Sequence, residues 1–317
     1  LVWAQDWTGG RKGVDEGGVW SHQLVMESAI QERRVVETEC PVCGHCEFTA
    51  IYQGLLKCDE CNFITAEIAS DGDDLKALYG ESYFAGDEYA DYVGDKTAIQ
   101  RNLRRWLKIV RRYVPGGSLV EVGSAYGFFL ELARVHYEAT GYDLSDDAVR
   151  YATKVLGVTA RSADFLTDKS VKDSSIDAVA MWDVAEHVDA PDKFVERASK
   201  LLRPGGHLFI TTGDIEAWLP RRQGPRWRLI HPPTHLQYFS KETMTRMLEG
   251  KGFEVVAVSH PGYWRSVKQI LHGLFVFGRQ DGPSAAYRVL SKVLPGRLNV
   301  YINTFDIMFV VARKRTS

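Results

Sequence analysis

A chain of 317 residues with a formal net charge of −2, 45% hydrophobic and 25% charged residues is ordinary for a globular protein. It has room for one large α/β domain and a small appendage, and its charge balance excludes a whole-surface field for DNA. No apolar run approaches the roughly 18 residues of a spanning helix, and the first residues lack the charged and apolar regions of a signal peptide, so a cytoplasmic protein is expected.

Residues 1–35 show no hydrophobic periodicity and are expected to form a poorly ordered leader, with Met26 a plausible initiator. All five cysteines follow, between positions 40 and 61. Such clustering does not suit a secreted disulfide scaffold and points to a metal site in a reducing compartment. The stretch "CPVCGHCEFTAIYQGLLKCDEC" puts Cys40 and Cys43 in one CxxC knuckle and Cys58 and Cys61 in a second, with fourteen residues between the knuckles. Two knuckles offer four thiolates to one tetrahedral ion, and four thiolates leave no open position for chemistry. A structural Zn2+ is therefore expected, in a ribbon spanning 36–70 with a hairpin around Gly54; His45 and Cys46 are spare, either able to substitute as a ligand, with Cys46 read as a bystander thiol.

Residues 71–115 read as a helical cap or linker. An acidic, tyrosine-rich stretch comes first. "AIQRNLRRWLKIVRRYV" is then amphipathic: Leu103, Trp106, Leu107 and Val110 fall at helical spacing, with Arg101, Arg104, Arg105, Lys108, Arg111 and Arg112 around them. From 116 to 317, "SLVEVG", "EATGYD", "VTARSAD", "IDAVAMWD", "HLFITT", "FEVVAVS" and "FDIMFVVARK" read as strands, most of them separated by helical patterns. That alternation implies an α/β, doubly wound, mostly parallel sheet of seven strands. Substrate-side insertions are expected at 214–236 and at 261–300, the second a long helical excursion fit for a lid or an oligomer contact.

In open α/β sheets ligands gather outside the carboxyl ends of the strands. The first such loop reads Glu121-Val-Gly123-Ser-Ala125-Tyr-Gly127. It lacks the third glycine of the dinucleotide fingerprint, where Phe128 stands. Glu121 at the strand's end would repel a pyrophosphate and suits a cationic or zwitterionic ligand. Asp143 closes the second strand, where it can accept hydrogen bonds from a ribose diol. Asp164 follows the third strand, placed to hold an adenine amino group beside Phe165. "MWDVAEHV" brings Asp183, Glu186 and His187 to the same edge after the fourth.

These residues resemble the class I S-adenosylmethionine-dependent methyltransferases, whose first-strand motif E/D-x-G-x-G-x-G aligns with Glu121 to Gly127. "LLRPGGHLFITT" is similar to the family's turn before strand five. The N-terminal CxxC pairs, "LYGESYF" and "PPTHLQYFS" further resemble a subset that includes sugar C-methyltransferases. The resemblance implies S-adenosylmethionine as cofactor. Its contacts carry over to Glu121, Gly123, Ser124, Ala125 and Gly127, to Asp143 and Leu144, to Asp164 and Phe165, and to Trp182, Asp183 and His187. Ala125 stands where the family has its middle glycine. A negative φ is expected there, the added methyl narrowing the loop without abolishing binding.

Methyl transfer mainly requires alignment of the acceptor with the methyl group, together with removal of a proton from the acceptor. A histidine titrating near 6.5 is the natural base. His235 is the first candidate, then His231, with His187 supporting the cofactor loop and Tyr83 and Tyr89 closing over the substrate. Where the sugar C-methyltransferases carry an acid before the late histidine, this chain has Thr234, which weighs against carbon methylation specifically. Arg221, Arg222, Arg226 and Arg228 suggest an anionic small-molecule acceptor, such as a phosphorylated sugar or a natural-product intermediate. The alternative is an RNA methyltransferase gripping phosphates with the ribbon and the basic helix. The near-neutral charge and "DVAE" after strand four, in place of an N-P-P-Y-like amine-methylating tetrapeptide, disfavour it.

Overall fold

The computed structural model describes residues 33–35, 39–52, 54–67, 92–267, 270–271 and 299–316. The leader expected at 1–35 lies outside these apart from its last three residues, as do Tyr83, Tyr89, "LYGESYF" and most of the 261–300 excursion.

The first strands are β1 (Arg33–Val35), β2 (Glu47–Tyr52), β3 (Leu55–Cys58) and β4 (Ile64–Ala66), paired antiparallel in that order. The β2–β3 turn is the hairpin expected around Gly54. Helix α1 (Lys96–Tyr113) follows. Its apolar stripe of Leu103, Trp106, Leu107 and Val110 is buried, with Trp106 against Phe309 at 5.2 Å between ring centroids.

The main sheet contains β5 (Gly117–Val122), β6 (Tyr137–Asp143), β7 (Ala160–Ser162), β8 (Ile176–Trp182), β9 (Leu202–Gly213), β11 (Phe253–Ser259) and β14 (Ile307–Lys314). Its order is β11-β14-β9-β8-β5-β6-β7, parallel from β9 to β7, with β14 antiparallel to both neighbours. Leu119–Val122 of β5 and Ala178–Met181 of β8 are buried without alternation, as strands covered on both faces must be. Helices α2 (Phe128–Ala133), α3 (Asp146–Lys154), α4 (Pro191–Leu201) and α6 (Lys241–Gly250) connect them, and the short α5 (Trp218–Gln223) lies in the 214–236 insertion. Ser145 caps α3 by accepting from Ala148 N–H, and Ser240 forms a capping box with Thr243 at α6. All seven expected strands are present.

Two features differ from the sequence expectation. The 261–300 excursion is bounded by strands, β12 (Tyr263–Ser266) pairing antiparallel with β13 (Asn299–Ile302), and its described residues 267 and 270–271 are helical. Their aromatic residues dock on α1, where Arg101 lies 4.7 Å over Trp264 and Arg105 lies 4.8 Å over Tyr301. Arg105 also donates to the Gly262 carbonyl at 2.7 Å. Both arginines thus contribute to packing, Arg101 while remaining exposed.

The second feature joins the two sheets' neighbourhoods. β10 (Gln237–Tyr238), within "PPTHLQYFS", adds to the cysteine-rich sheet as its fifth strand, pairing with β4. Ala66 N–H donates to the Leu236 carbonyl at 2.7 Å, and Phe63 packs on Phe239 at 5.1 Å. The cysteine knuckles thus brace the segment that carries His235.

Candidate active site

The carboxyl edge of β5, β6 and β7 is organised by Asp143. Its Oδ2 accepts from Ala125 N–H at 2.7 Å and its Oδ1 from Ser145 N–H at 2.9 Å. Burial pushes the Asp143 carboxyl up, opposed by these backbone donors and by Leu144 N–H. Glu121 is only 3% exposed, and its Oε2 has no hydrogen-bond partner. Burial, with the Asp143 carboxylate beside it, holds Glu121 well above the usual carboxylate range. A buried carboxyl missing a partner next to a second carboxyl is a place where a cation or an N–H or O–H donor would be stabilised. Gly123 sits at φ +68 with Val184 so close that an added Cβ would lie 2.5 Å from its Cγ2. The glycine therefore lets the loop pass under the residues that follow β8.

Ala125 departs from expectation. Its φ is +44, in the left-handed region, not negative. The cause is the hydrogen bond to Asp143: the turn has to aim the Ala125 N–H at that carboxylate, and the family's glycine conformation is retained with a methyl on it. An L side chain there costs about 1–2 kcal/mol.

The remaining sequence candidates divide. Leu144 is exposed beside Asp143. Asp164 accepts from Leu166 N–H at 2.9 Å and from the Thr167 hydroxyl at 3.1 Å, which fixes its carboxylate at the strand's end. Phe165 does not present its ring to the edge; it is buried against Tyr142 at 5.6 Å and Phe194 at 5.9 Å. Ser124 is buried, and its N–H donates to the Tyr142 carbonyl at 3.0 Å. Gly127 starts α2 at φ +76. Trp182 packs between Phe129 and Phe309, its indole N–H lacking a partner. Asp183, at φ +52, accepts from the Thr211 hydroxyl at 2.8 Å, and its N–H donates to the Thr211 carbonyl at 3.0 Å.

On the acceptor side, beyond β8 and β9, three histidines meet. The rings of His187 and His235 are 4.6 Å apart and those of His231 and His235 are 3.9 Å apart. The Nδ1 of His235 lies 2.9 Å from the Leu229 carbonyl and that of His187 lies 2.8 Å from the Thr234 carbonyl. A carbonyl only accepts, so both rings carry their proton on Nδ1 and their lone pair on Nε2. The main chain is stitched across the same place, Leu236 and Gln237 N–H both donating to the Glu186 carbonyl. His187 therefore packs with His235. Nor do these histidines titrate near 6.5. Burial lowers His231 and His187 to about 4 and His235 well below its ordinary value, with neighbouring histidines adding to the effect on His231 and His235. His235 is sealed at 5% exposure, whereas His231 is half-buried.

Of the four arginines, Arg228 is engaged, its Nη2 lying 3.2 Å from both carboxylate oxygens of Asp306. Arg221 faces Glu216 at 3.6 Å, and Arg222 and Arg226 are exposed. One pair escaped the sequence reading. Asp214, buried just past β9, meets the Nε2 of His260, just past β11, at 2.8 Å. Each follows a strand's carboxyl end, but 46 residues separate them and only the placement of β14 between their strands brings them together.

The four knuckle cysteines also converge. Cys40 and Cys61 Sγ are 3.5 Å apart, Cys43 and Cys58 Sγ are 3.6 Å apart, and all four lie within 4.8 Å of one another. Cys46 stays outside, its thiol turned to the Gly44 carbonyl.

A family model described as a methyltransferase domain matches residues 97–258, just over half of the chain. The chain belongs to the class I S-adenosylmethionine-dependent methyltransferases. This methyltransferase is 28% identical over 153 residues to a protein of Cupriavidus pinatubonensis named ubiquinone biosynthesis O-methyltransferase, covering 44% of the present chain and 61% of the relative. It is 31% identical over 106 residues to the similarly named Xanthomonas campestris protein, covering 31% and 44% respectively. The chain thus spans roughly half the length of the curated relatives it matches. Among solved structures, a chain of the Haloferax volcanii complex between a methyltransferase activator and a methyltransferase aligns with a TM-score of 0.50 at 16% identity, over 78% of the present chain and all of the other, a likeness of fold alone. No described helix is long and apolar enough to cross a membrane.

Proposed function

We propose that this methyltransferase acts in the cytoplasm on a hydroxyl of a small-molecule acceptor, such as a sugar or another natural-product intermediate. The observation that carries the cofactor half is the buried pair of Glu121 and Asp143 around the turn from Gly123 to Gly127. Bound there, S-adenosylmethionine supplies a sulfonium methyl open to in-line displacement. Asp143 is positioned for the ribose hydroxyls, Glu121 Oε2 offers an acceptor to the cationic end, and Leu144 and the Asp164 turn border the adenine position.

The acceptor side orients a hydroxyl and takes its proton. His231 is the less buried imidazole of His231 and His235, and its lowered pKa keeps it unprotonated across the physiological range. Exposed Arg222 and Arg226 in the 214–236 insertion support an anionic acceptor. An oxygen acceptor is supported by the relatives named as O-methyltransferases. The cysteine cluster fits structural Zn2+: bonds of about 2.3 Å in a tetrahedron put sulfurs about 3.8 Å apart, close to the observed 3.5 and 3.6 Å.

Calorimetry with S-adenosylmethionine should give a micromolar dissociation constant, about −8 kcal/mol. Absence of binding by the intact protein overturns the reading. Transfer of labelled methyl to hydroxylated small molecules, resistant to ribonuclease, separates it from RNA methylation.

A further inference from the structure

The ring of His231 lies 3.9 Å from that of His235. Next to it, a ring nitrogen from each of His187 and His235 and a carboxylate oxygen of Glu186 all lie within 4.8 Å of one another. We propose that Glu186, His187 and His235 form a binding site for a divalent transition ion at the acceptor end of the sheet, separate from the cysteine cluster.

Three observations converge on it. The donor set is two imidazoles and one carboxylate, which suits Mn2+, Fe2+, Co2+ or Zn2+ and does not suit the all-oxygen preference of Mg2+ or Ca2+. Both imidazoles donate Nδ1–H to backbone carbonyls, of Thr234 and Leu229, the outer support that fixes a ligating histidine's Nε2 lone pair. The three residues come from the loop after β8 and the segment before β10, and the paired hydrogen bonds of Leu236 and Gln237 to the Glu186 carbonyl hold those stretches together. Glu186 and His235 are both buried at 5% exposure, so a negative charge and lone pairs stand where water screens them little.

Three protein ligands leave coordination positions open, unlike the closed four-sulfur cluster. On the methyl-transfer reading, an acceptor oxygen would fill one of them. A bound cation lowers the pKa of an oxygen it holds, as it does for water. The hydroxyl proton then passes to His231 or solvent, the O–CH3 bond forms, and the C–S bond of the sulfonium breaks with its electron pair leaving on sulfur. This role rests on the methyl-transfer reading; the ion site itself does not.

The test is Mn2+ titration of the zinc-loaded full chain without cofactor, followed by the electron paramagnetic resonance signal of free Mn2+. One Mn2+ per chain should bind at micromolar affinity, and Glu186→Gln and His187→Gln should each weaken it about tenfold or more while ribbon zinc content stays at one. An intact protein that takes up no Mn2+, Fe2+ or Co2+ beyond the ribbon ion overturns the proposal, as does unchanged affinity in both variants. Ion uptake without S-adenosylmethionine binding would leave this site standing and remove the methyl-transfer reading; cofactor binding without ion uptake would do the reverse.

Discussion

The two halves of the sheet's carboxyl edge are built differently. In the cofactor half, Asp143 is two residues from Ser145 and eighteen from Ala125, and the contacts are backbone donors meeting one carboxylate. In the acceptor half, His187 reaches Thr234 across 47 residues, Asp214 reaches His260 across 46, and Thr65 of the cysteine-rich sheet donates to Leu236 across 171. Short-range contacts can be specified by a motif, whereas long-range ones exist only once the sheet order exists. The cofactor half should therefore tolerate damage to the acceptor half, and the acceptor half should depend on distant parts of the chain.

The largest effect is expected from Asp143→Ala. Two backbone N–H groups and any ribose hydroxyls lose a charged acceptor, each worth roughly 1.5–3 kcal/mol. Calorimetry should show S-adenosylmethionine affinity falling about 100-fold or more, while Mn2+ uptake at the acceptor side stays unchanged. Loss of both would mean that the halves are not separable.

The reverse experiment is Cys61→Ser. Losing one of the four thiolates proposed to hold Zn2+ should loosen their sheet, which includes β10. Turnover should fall about tenfold or more through misplacement of His231 and His235, with cofactor affinity within about threefold of the intact protein. Zinc content and the two dissociation constants decide it; an equal loss of cofactor affinity would show that the ribbon supports both halves.

Legibility in the sequence follows the same division. The seven strands, the CxxC spacing, and Asp143, Asp164 and Asp183 at strand ends could be read because each depends on local pattern. Phe165 could not be placed, because whether a ring after a strand turns inward depends on Tyr142 and Phe194. Histidine chemistry was legible in type but not in state: the residues are there in "EHV" and "HPPTH", yet their lowered protonation comes from packing between separate segments. Arg101 and Arg105 looked like a free basic face because their aromatic partners, Trp264 and Tyr301, lie about 160 and 196 residues away.

A smaller effect should come from pH. His187 and His231 are lowered to about 4 in the folded chain, against about 6.5 when unfolded. Between those values the unfolded chain binds more protons, so stability is full above about pH 6.5 and is lost as pH falls towards 4. The thermal midpoint should drop by a few degrees across that window, and His231→Gln should reduce the slope. A midpoint independent of pH there would mean that the histidines are hydrated. Saturating Mn2+ should shift the fall to lower pH, since an ion on His187 and His235 competes with protons.

The smallest expected effect tests the cofactor half at its most local. Ala125 holds φ +44 because its N–H is committed to Asp143. Ala125→Gly removes about 1–2 kcal/mol of left-handed strain and gives back about 0.4–1 kcal/mol through the freer unfolded chain. The net gain is about 0–1.6 kcal/mol, a rise of at most about 2–4 °C in the thermal midpoint. S-adenosylmethionine affinity should hold within about twofold, because what Ala125 contributes is a backbone N–H that glycine also has. A lower midpoint would mean that the methyl packs favourably and that the turn is not strained. A large change in affinity would mean that the methyl itself shapes the cofactor's bed, and that this half of the edge also depends on side-chain packing as the acceptor half does.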